Sequence, residues 1–148
     1  MGIKRDREPQ GAPDYKIDVN FTSTAAIITQ RLVKLSSGGG VKPTTGSSGR
    51  AALGVALNAT TGSGKVVAVR RFGLATVEAS SRAIKKGDWV RATSGAASTA
   101  SRLGGTVRTS TSAVPNVVGQ AMTSCAAGAG KRTVTIFVVP TINSGLLL

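Results

Sequence analysis

Histidine is absent from this 148-residue chain, cysteine occurs once, and aromatic residues make up only 3%. Without histidine the commonest general base and metal ligand is missing. The lone Cys125 permits neither an intrachain disulfide nor a thiolate metal cluster, and its ordinary place is as a small buried hydrophobe. Acidic residues number six, and four of them fall within the first 18 positions. Glu78 and Asp88 stand apart with no carboxylate neighbour, so no paired-acid site or hard-cation cage is expected. Abundant serine and threonine have no base in view to activate them. These absences describe a non-enzyme that needs no cofactor and no metal. A run of about 18 apolar residues, as a membrane-spanning helix requires, is also missing. The start, MGIKRDREP, lacks the apolar stretch of a secretory signal. The two glycosylation sequons at Asn20 and Asn58 are accordingly read as chance.

Positive charge is what the chain has in excess, at a net +13. Residues 1–18 are balanced, and the remainder carries fifteen basic side chains against Glu78 and Asp88. A strongly cationic body therefore follows a neutral, mixed-charge leader. Such a body repels its own kind and is drawn to polyanions or acidic protein surfaces.

Gly, Ser, Thr, Ala and Val dominate, which favours short strands and many turns over helices. The densest pattern is 52–79, ALGVALNATTGSGKVVAVRRFGLATVEA. Leu53, Val55 and Leu57 alternate with small or polar residues, the period of a strand with one buried face. The turn TTGSG follows, then the β-branched run Val66, Val67 and Val69. Gly73 interrupts that run before Ala75, Val77 and Ala79 resume it, so the stretch predicts three strands in a sharply bent antiparallel meander.

In chain order, residues 1–15, with Pro9, Gly11 and Pro13, suit an extended arm with no core of its own. KIDVNFT (16–22) is a strand with Ile17, Val19 and Phe21 on one face. IITQRLVKL (27–35) and IKKGDWVRA (84–92) are turn-strand units. Short strands are expected at Val41-Lys42 and near Thr106–Thr109, and VVGQAMT (117–123) and RTVTIFVV (132–139) close the fold around a Gly-rich turn. The last nine residues, PTINSGLLL, form a tail with an apolar end.

Three stretches recur in the same order. IITQRLVK matches IKKGDWVR, LGVAL matches VGQAM, and GSGK matches GAGK ahead of a Val-rich strand. The expected fold is all-β, a small antiparallel barrel or compact sandwich over 16–139. Its half-repeats span about 24–79 and 80–139, with an arm at 1–15 and a tail at 140–148. Gly54, Gly62, Gly64, Gly73, Gly87, Gly119, Gly128 and Gly130 are taken as its fold-defining turns. The GSGK and GAGK segments imitate a phosphate-binding loop. Ala59 and Val66 replace its opening Gly and its Ser/Thr in the first, and Cys125 and Arg132 do so in the second, so a hairpin turn is the better reading.

Nucleic-acid binding by a basic β barrel is the alternative, since a basic domain is its electrostatic footprint. Single-strand binders also need aromatic stacking platforms. This chain offers Tyr15, Phe21, Phe72, Trp89 and Phe137, of which Phe21 and Phe137 fall in strand patterns that suggest core. Arg70-Arg71 and Lys85-Lys86 are the adjacent basic pairs of the body, and its other cations are dispersed. That spacing disfavours nucleic acid as the partner.

AAIITQRLVKL, ALGVALNATTGSGKVVAVRRFGLATVEA, AIKKGDWVRAT and VVGQAMTSCAAGAGKRTVTIFVV resemble successive blocks of the capsid cement, or head decoration, proteins of tailed bacteriophages. The likeness covers about residues 17–139. It departs at Gln30, where the block carries Gly, and in the longer stretches 36–50 and 93–115. The resemblance implies a homotrimer, made in the host cytoplasm, that sits on the outer surface of the virion capsid and staples neighbouring major capsid subunits. It implies no membrane and no small-molecule substrate. An extended arm suits this role by adding a strand to an exposed capsid sheet edge. The contact candidates are thus Lys4, Arg5, Arg7, Pro9, Pro13, Tyr15 and Lys16.

Overall fold

The computed structural model describes residues 15–44, 52–80, 82–92, 107–109, 117–128 and 130–139. Among them are nine strands and no helix: β1 (Ile17–Thr22), β2 (Leu32–Leu35), β3 (Val41–Pro43), β4 (Ala52–Ala56), β5 (Val66–Glu78), β6 (Trp89–Ala92), β7 (Val107–Thr109), β8 (Val117–Ala121) and β9 (Thr133–Val138). They form one antiparallel sheet, curled into a half-barrel, in the order β3-β2-β4-β5-β9-β8-β6-β7, with β1 also paired to β5. The all-β expectation holds. The arm before Tyr15 and the tail from Pro140 lie outside the described residues.

β5 is the strand about which the sheet turns. The sequence pattern predicts two strands separated at Gly73, whereas the chain forms one 13-residue strand bent there. With φ at +102°, Gly73 takes a backbone state open to glycine and redirects the strand without ending its ladder. Before the bend β5 pairs with β1, from Thr22↔Val66 to Ile17↔Phe72, and with β4 at Val55↔Arg70 and Ala56↔Val69. After it, Gly73 to Glu78 pair with Val138 to Thr133 of β9. The meander is thus replaced by a change of partner along a single strand.

Two cores result. Ile27, Val33, Val41, Ala56, Val67 and Val69 form one, with Phe21 and Leu53 packed against it. Ser23, just past β1, bridges in parallel to Val41, so β1-β5-β4-β2-β3 wrap this cluster. Ala75, Val77, Ile84, Val90, Ala121, Val134, Ile136 and Val138 belong to the other, which Leu32, Ala52 and Val55 join from β2 and β4. Burying such Val, Leu and Ile side chains contributes about 1.5–3 kcal/mol each. Ile17 departs from expectation. A bulge between Ile17 and Asp18 swings it out of step with Val19 and Phe21, and it is exposed. Phe137 also departs, lying half-buried on the face opposite Ile136 and Val138.

The two ends of the sheet correspond in detail. In β2-β4, Leu32↔Val55 and Val33↔Gly54 precede a bulge and then Lys34↔Ala52. In β6-β8, Trp89↔Gln120 and Val90↔Gly119 precede the same bulge and then Arg91↔Val117. Ile27 bridges Thr60 as Ile84 bridges Cys125. Gln30 donates its N–H to Ala56 O at 2.9 Å as Gly87 does to Ala121 O at 2.8 Å.

Candidate functional site

The candidate contact residues divide at Tyr15. Lys4, Arg5, Arg7, Pro9 and Pro13 lie outside the described residues, while Tyr15 and Lys16 are exposed where the chain enters β1. Their position is fixed by the bend in β5. A Cβ on Gly73 would meet the Tyr15 carbonyl and the Lys16 Cα, so only glycine lets the incoming chain pass this close. Val138 pairs with Gly73 from β9, so the described chain both enters and leaves beside one residue.

Arg70 holds this junction. Its Nε and Nη2 donate to the Asp18 carboxylate at 2.8 and 2.9 Å, and its Nη1 donates to Leu74 O at 2.7 Å, past the bend. One guanidinium therefore ties β1 to both sides of Gly73. The hydrogen bonds from Arg70 hold the Asp18 carboxyl below its ordinary range.

Among the expected glycines, Gly64, Gly87 and Gly130 do take positive φ in turns or bends, and Gly62 sits in the β4–β5 connection. That turn is latched by buried Ser23, whose hydroxyl donates to Gly62 O at 2.6 Å and accepts from Lys65 N at 3.2 Å. The segment is thus a tethered hairpin turn. Gly128 falls between β8 and β9 without turn geometry. Gly54 and Gly119 are not turns but lie inside β4 and β8. At the bulge their strands run so near the neighbouring backbone that an added Cβ would strike the Arg70 and Phe137 carbonyls. Gln30, which stands where the cement-protein block carries Gly, was not among the expected turn residues, yet it holds a φ of +63° at the place corresponding to Gly87.

The body carboxylates serve the fold. Glu78 is buried in an ion pair with Arg31, and Asp88 Oδ2 accepts from Lys85 N at 2.8 Å within its turn. Cys125 is half-buried, with Arg132 Nη1 3.5 Å from its sulfur. No cluster of metal-ligating residues occurs among the described residues. Cations and large apolar side chains both stand outward. Arg71, Lys85 and Lys86 are exposed, whereas Arg70 is spent on Asp18. The outer face of β5, β9, β8 and β6 carries Leu74, Phe137, Gln120 and Trp89 in one cross-strand row.

This all-β, pairwise-matched body was compared with known proteins. A search of curated proteins finds no match. Among solved structures, the chain resembles the N base of the head fibre protein gp8.5 of bacteriophage phi29, at 21% identity and a TM-score of 0.52. The match spans 82% of this chain and 94% of that one, a likeness of fold. The family model for phage cement proteins matches residues 12–138, from just before the first described residue, Tyr15, through the end of β9. The chain therefore belongs to the phage cement protein family and is a capsid-associated structural component of the virion.

Proposed function

We propose that the chain binds the outer surface of a phage head as a homotrimer and clasps neighbouring major capsid subunits, with no catalytic step. The observation that carries this reading is the family match over residues 12–138, which takes in the whole sheet. The chemistry of the body is consistent with it. The three carboxylates among the described residues are engaged within the fold, Asp18 by Arg70, Glu78 by Arg31 and Asp88 by the 85–88 turn.

Charge supplies the encounter. Arg71, Lys85 and Lys86 are exposed, and this cationic exterior complements an acidic shell, speeding association and setting orientation. Residues 1–15 add the second contact by lying along an exposed sheet edge of a capsid subunit, starting from Tyr15 and Lys16. A ligand that binds only the assembled lattice stabilises it in proportion to occupancy, so many modest sites resist internal pressure together. The two halves of the sheet are read as duplicated units that repeat this contact surface within one chain.

The test is binding to mature shells of the parent virus, followed by the temperature of genome release. Decorated particles should release their genome at a higher temperature than bare ones. Deletion of residues 1–15 should weaken shell binding, and undiminished affinity would remove the arm from the reading. Virions lacking the protein on their exterior would overturn the reading itself.

A further inference from the structure

β5 begins beside one cluster of turns and finishes beside its counterpart, and the two clusters differ in charge. At the start of β5, the Ile27↔Thr60 bridge sets residues 25–29 against 58–65. The cationic side chain of that end is Lys65. At the finish, the Ile84↔Cys125 bridge sets residues 82–86 against 124–128, and Lys86 N donates to Ser124 Oγ at 2.9 Å. Ala79 N donates to Arg132 O at 2.7 Å, and Arg132 Nη1 lies 3.5 Å from Cys125 Sγ, so 131–132 joins the same end. Arg82, Lys85, Lys86, Lys131 and Arg132 are thereby gathered, and all but Arg132 are exposed.

Little at this end offsets that charge. Arg31 and Arg70 each present Nε and Nη2 to a carboxylate, of Glu78 and Asp18 respectively. Arg132 turns Nη1 to a sulfur instead. Its Nε and Nη2 are buried and have no hydrogen-bond partner among the described residues. A charge held below the surface is screened less than one in open water. Of the described carboxylates, Glu78 and Asp88 lie toward this end, but Glu78 is buried on Arg31 and Asp88 Oδ2 accepts from Lys85 N. A cluster of one sign on backbone-tethered turns focuses the field and orients an approaching anionic surface.

We propose that this basic end of the second half faces the shell, and that its partner is a cluster of carboxylate side chains on the major capsid subunit. The inference rests on the cement reading above and adds a direction to it. The Arg82–Arg132 end meets the shell, and the Lys65 end points elsewhere. Exposed cations in other places add to the attraction, whereas this end sets the orientation.

The test uses two variants of the full chain that lower the net charge equally at different places. Lys85→Glu with Lys86→Glu alters the second-half end, where the turn is bonded through the backbone N–H of each lysine and not its side chain. Thr61→Glu with Ser63→Glu and Lys65→Glu alters exposed positions of the first-half end. Binding to mature shells of the parent virus is measured at low and physiological salt, with unfolding midpoints confirming that both variants fold. The second-half variant should bind about tenfold more weakly or worse, with a flatter salt dependence, and the first-half variant should change by about threefold at most. Poly-L-glutamate added to the parent should shift the amide NMR signals of residues 82–86 and 124–126 and leave those of 60–65 in place. Equal losses in the two variants overturn the proposal, because overall charge would then suffice. So do poly-L-glutamate shifts of the same size at both ends, or a second-half variant that loses retention of single-stranded DNA while its shell binding is unchanged. A parent that binds no shell removes the cement reading and this partner with it. A parent that binds while both variants lose equally removes the direction alone.

Discussion

Arg31 and Glu78 form a buried, two-pronged ion pair, with Nε 2.9 Å from Oε2 and Nη2 3.2 Å from Oε1. Their residues are 8% and 3% exposed. The pair joins the segment entering β2 to the end of β5, and Glu78 N–H also donates to Gln30 O at 2.8 Å. Removing one partner leaves the other charge buried and uncompensated. Glu78→Ala should therefore cost about 3–5 kcal/mol in urea unfolding. Replacing both, as Arg31→Met with Glu78→Leu, should restore most of that loss, because no charge is then left buried without a partner. If the double variant is as unstable as the single one, the pair is held by something other than mutual compensation.

Asp18 and Arg70 give a pH signature of definite sign. The carboxyl is held below its ordinary value of 3.8, chiefly by hydrogen bonds from Arg70. A folded-state depression means that the unfolded chain binds the proton more tightly, so protonation favours unfolding. The stabilisation is complete above the ordinary value and disappears as pH falls through the depressed one. Asp18→Asn should cost up to about 1 kcal/mol at neutral pH, the scale of a partly exposed pair. Parent and variant should converge under strongly acidic conditions. Urea midpoints of both proteins measured across the acid range test this, and a gap that persists at the lowest pH would refute the assignment.

Local pattern in the sequence carried most of the strands, because strand alternation and turn chemistry are short-range signals. The turn-strand units at 27–35 and 84–92 and the closing pair β8-β9 lie where period and glycine placement put them. What escaped the sequence depends on partners distant in the chain. Gly73 looks like a strand end locally, and only β9, some sixty residues on, shows that the ladder continues. Ile17 alternates correctly with Val19 and Phe21, yet the bulge against Phe72 and Arg70 turns it outward. The alternation around Phe137 cannot say which face the rest of the sheet covers. The contact surface was less legible still. The arm candidates were suggested by composition and resemblance, whereas the basic end exists only once residues 82–86, 124–128 and 131–132 are brought side by side.

Gln30 and Gly87 allow the cost of a backbone state to be measured at two corresponding places. Both hold positive φ, +63° and +92°, in the turn that enters a strand. A side chain in the left-handed region costs about 1–2 kcal/mol, and glycine avoids this while adding about 0.5–1 kcal/mol of unfolded-state entropy. Gln30→Gly should therefore stabilise modestly, by about 0.5 kcal/mol. Gly87→Ala should destabilise by about 1 kcal/mol or more, although no atom crowds its Cβ position. Thermal unfolding of the two variants should shift in opposite directions. A shift of the same sign in both would mean that side-chain contacts, not φ, govern this turn.

Gly54 and Gly119 make the sharpest packing prediction, because what an added methyl would strike is backbone. The obstacles are the carbonyls of Arg70 and Phe137, both held in ladders on their far sides by β1 and β5. Neither strand can yield without losing its register at the adjoining bulge. Gly54→Ala and Gly119→Ala should each cost at least the roughly 1–3 kcal/mol typical of an overpacked core. Gly62→Ala has open space around its Cβ position and an ordinary φ, and should stay within about 0.5 kcal/mol of the parent. The loss at Gly119 should be felt at the Trp89 row as well, since Gly119 pairs with Val90 beside Trp89. Tryptophan emission followed through urea unfolding would then show Gly119→Ala changing its native baseline, and Gly54→Ala leaving that baseline intact while lowering the midpoint. Equal baselines in the two variants would show that the bulge does not transmit the clash to the outer face.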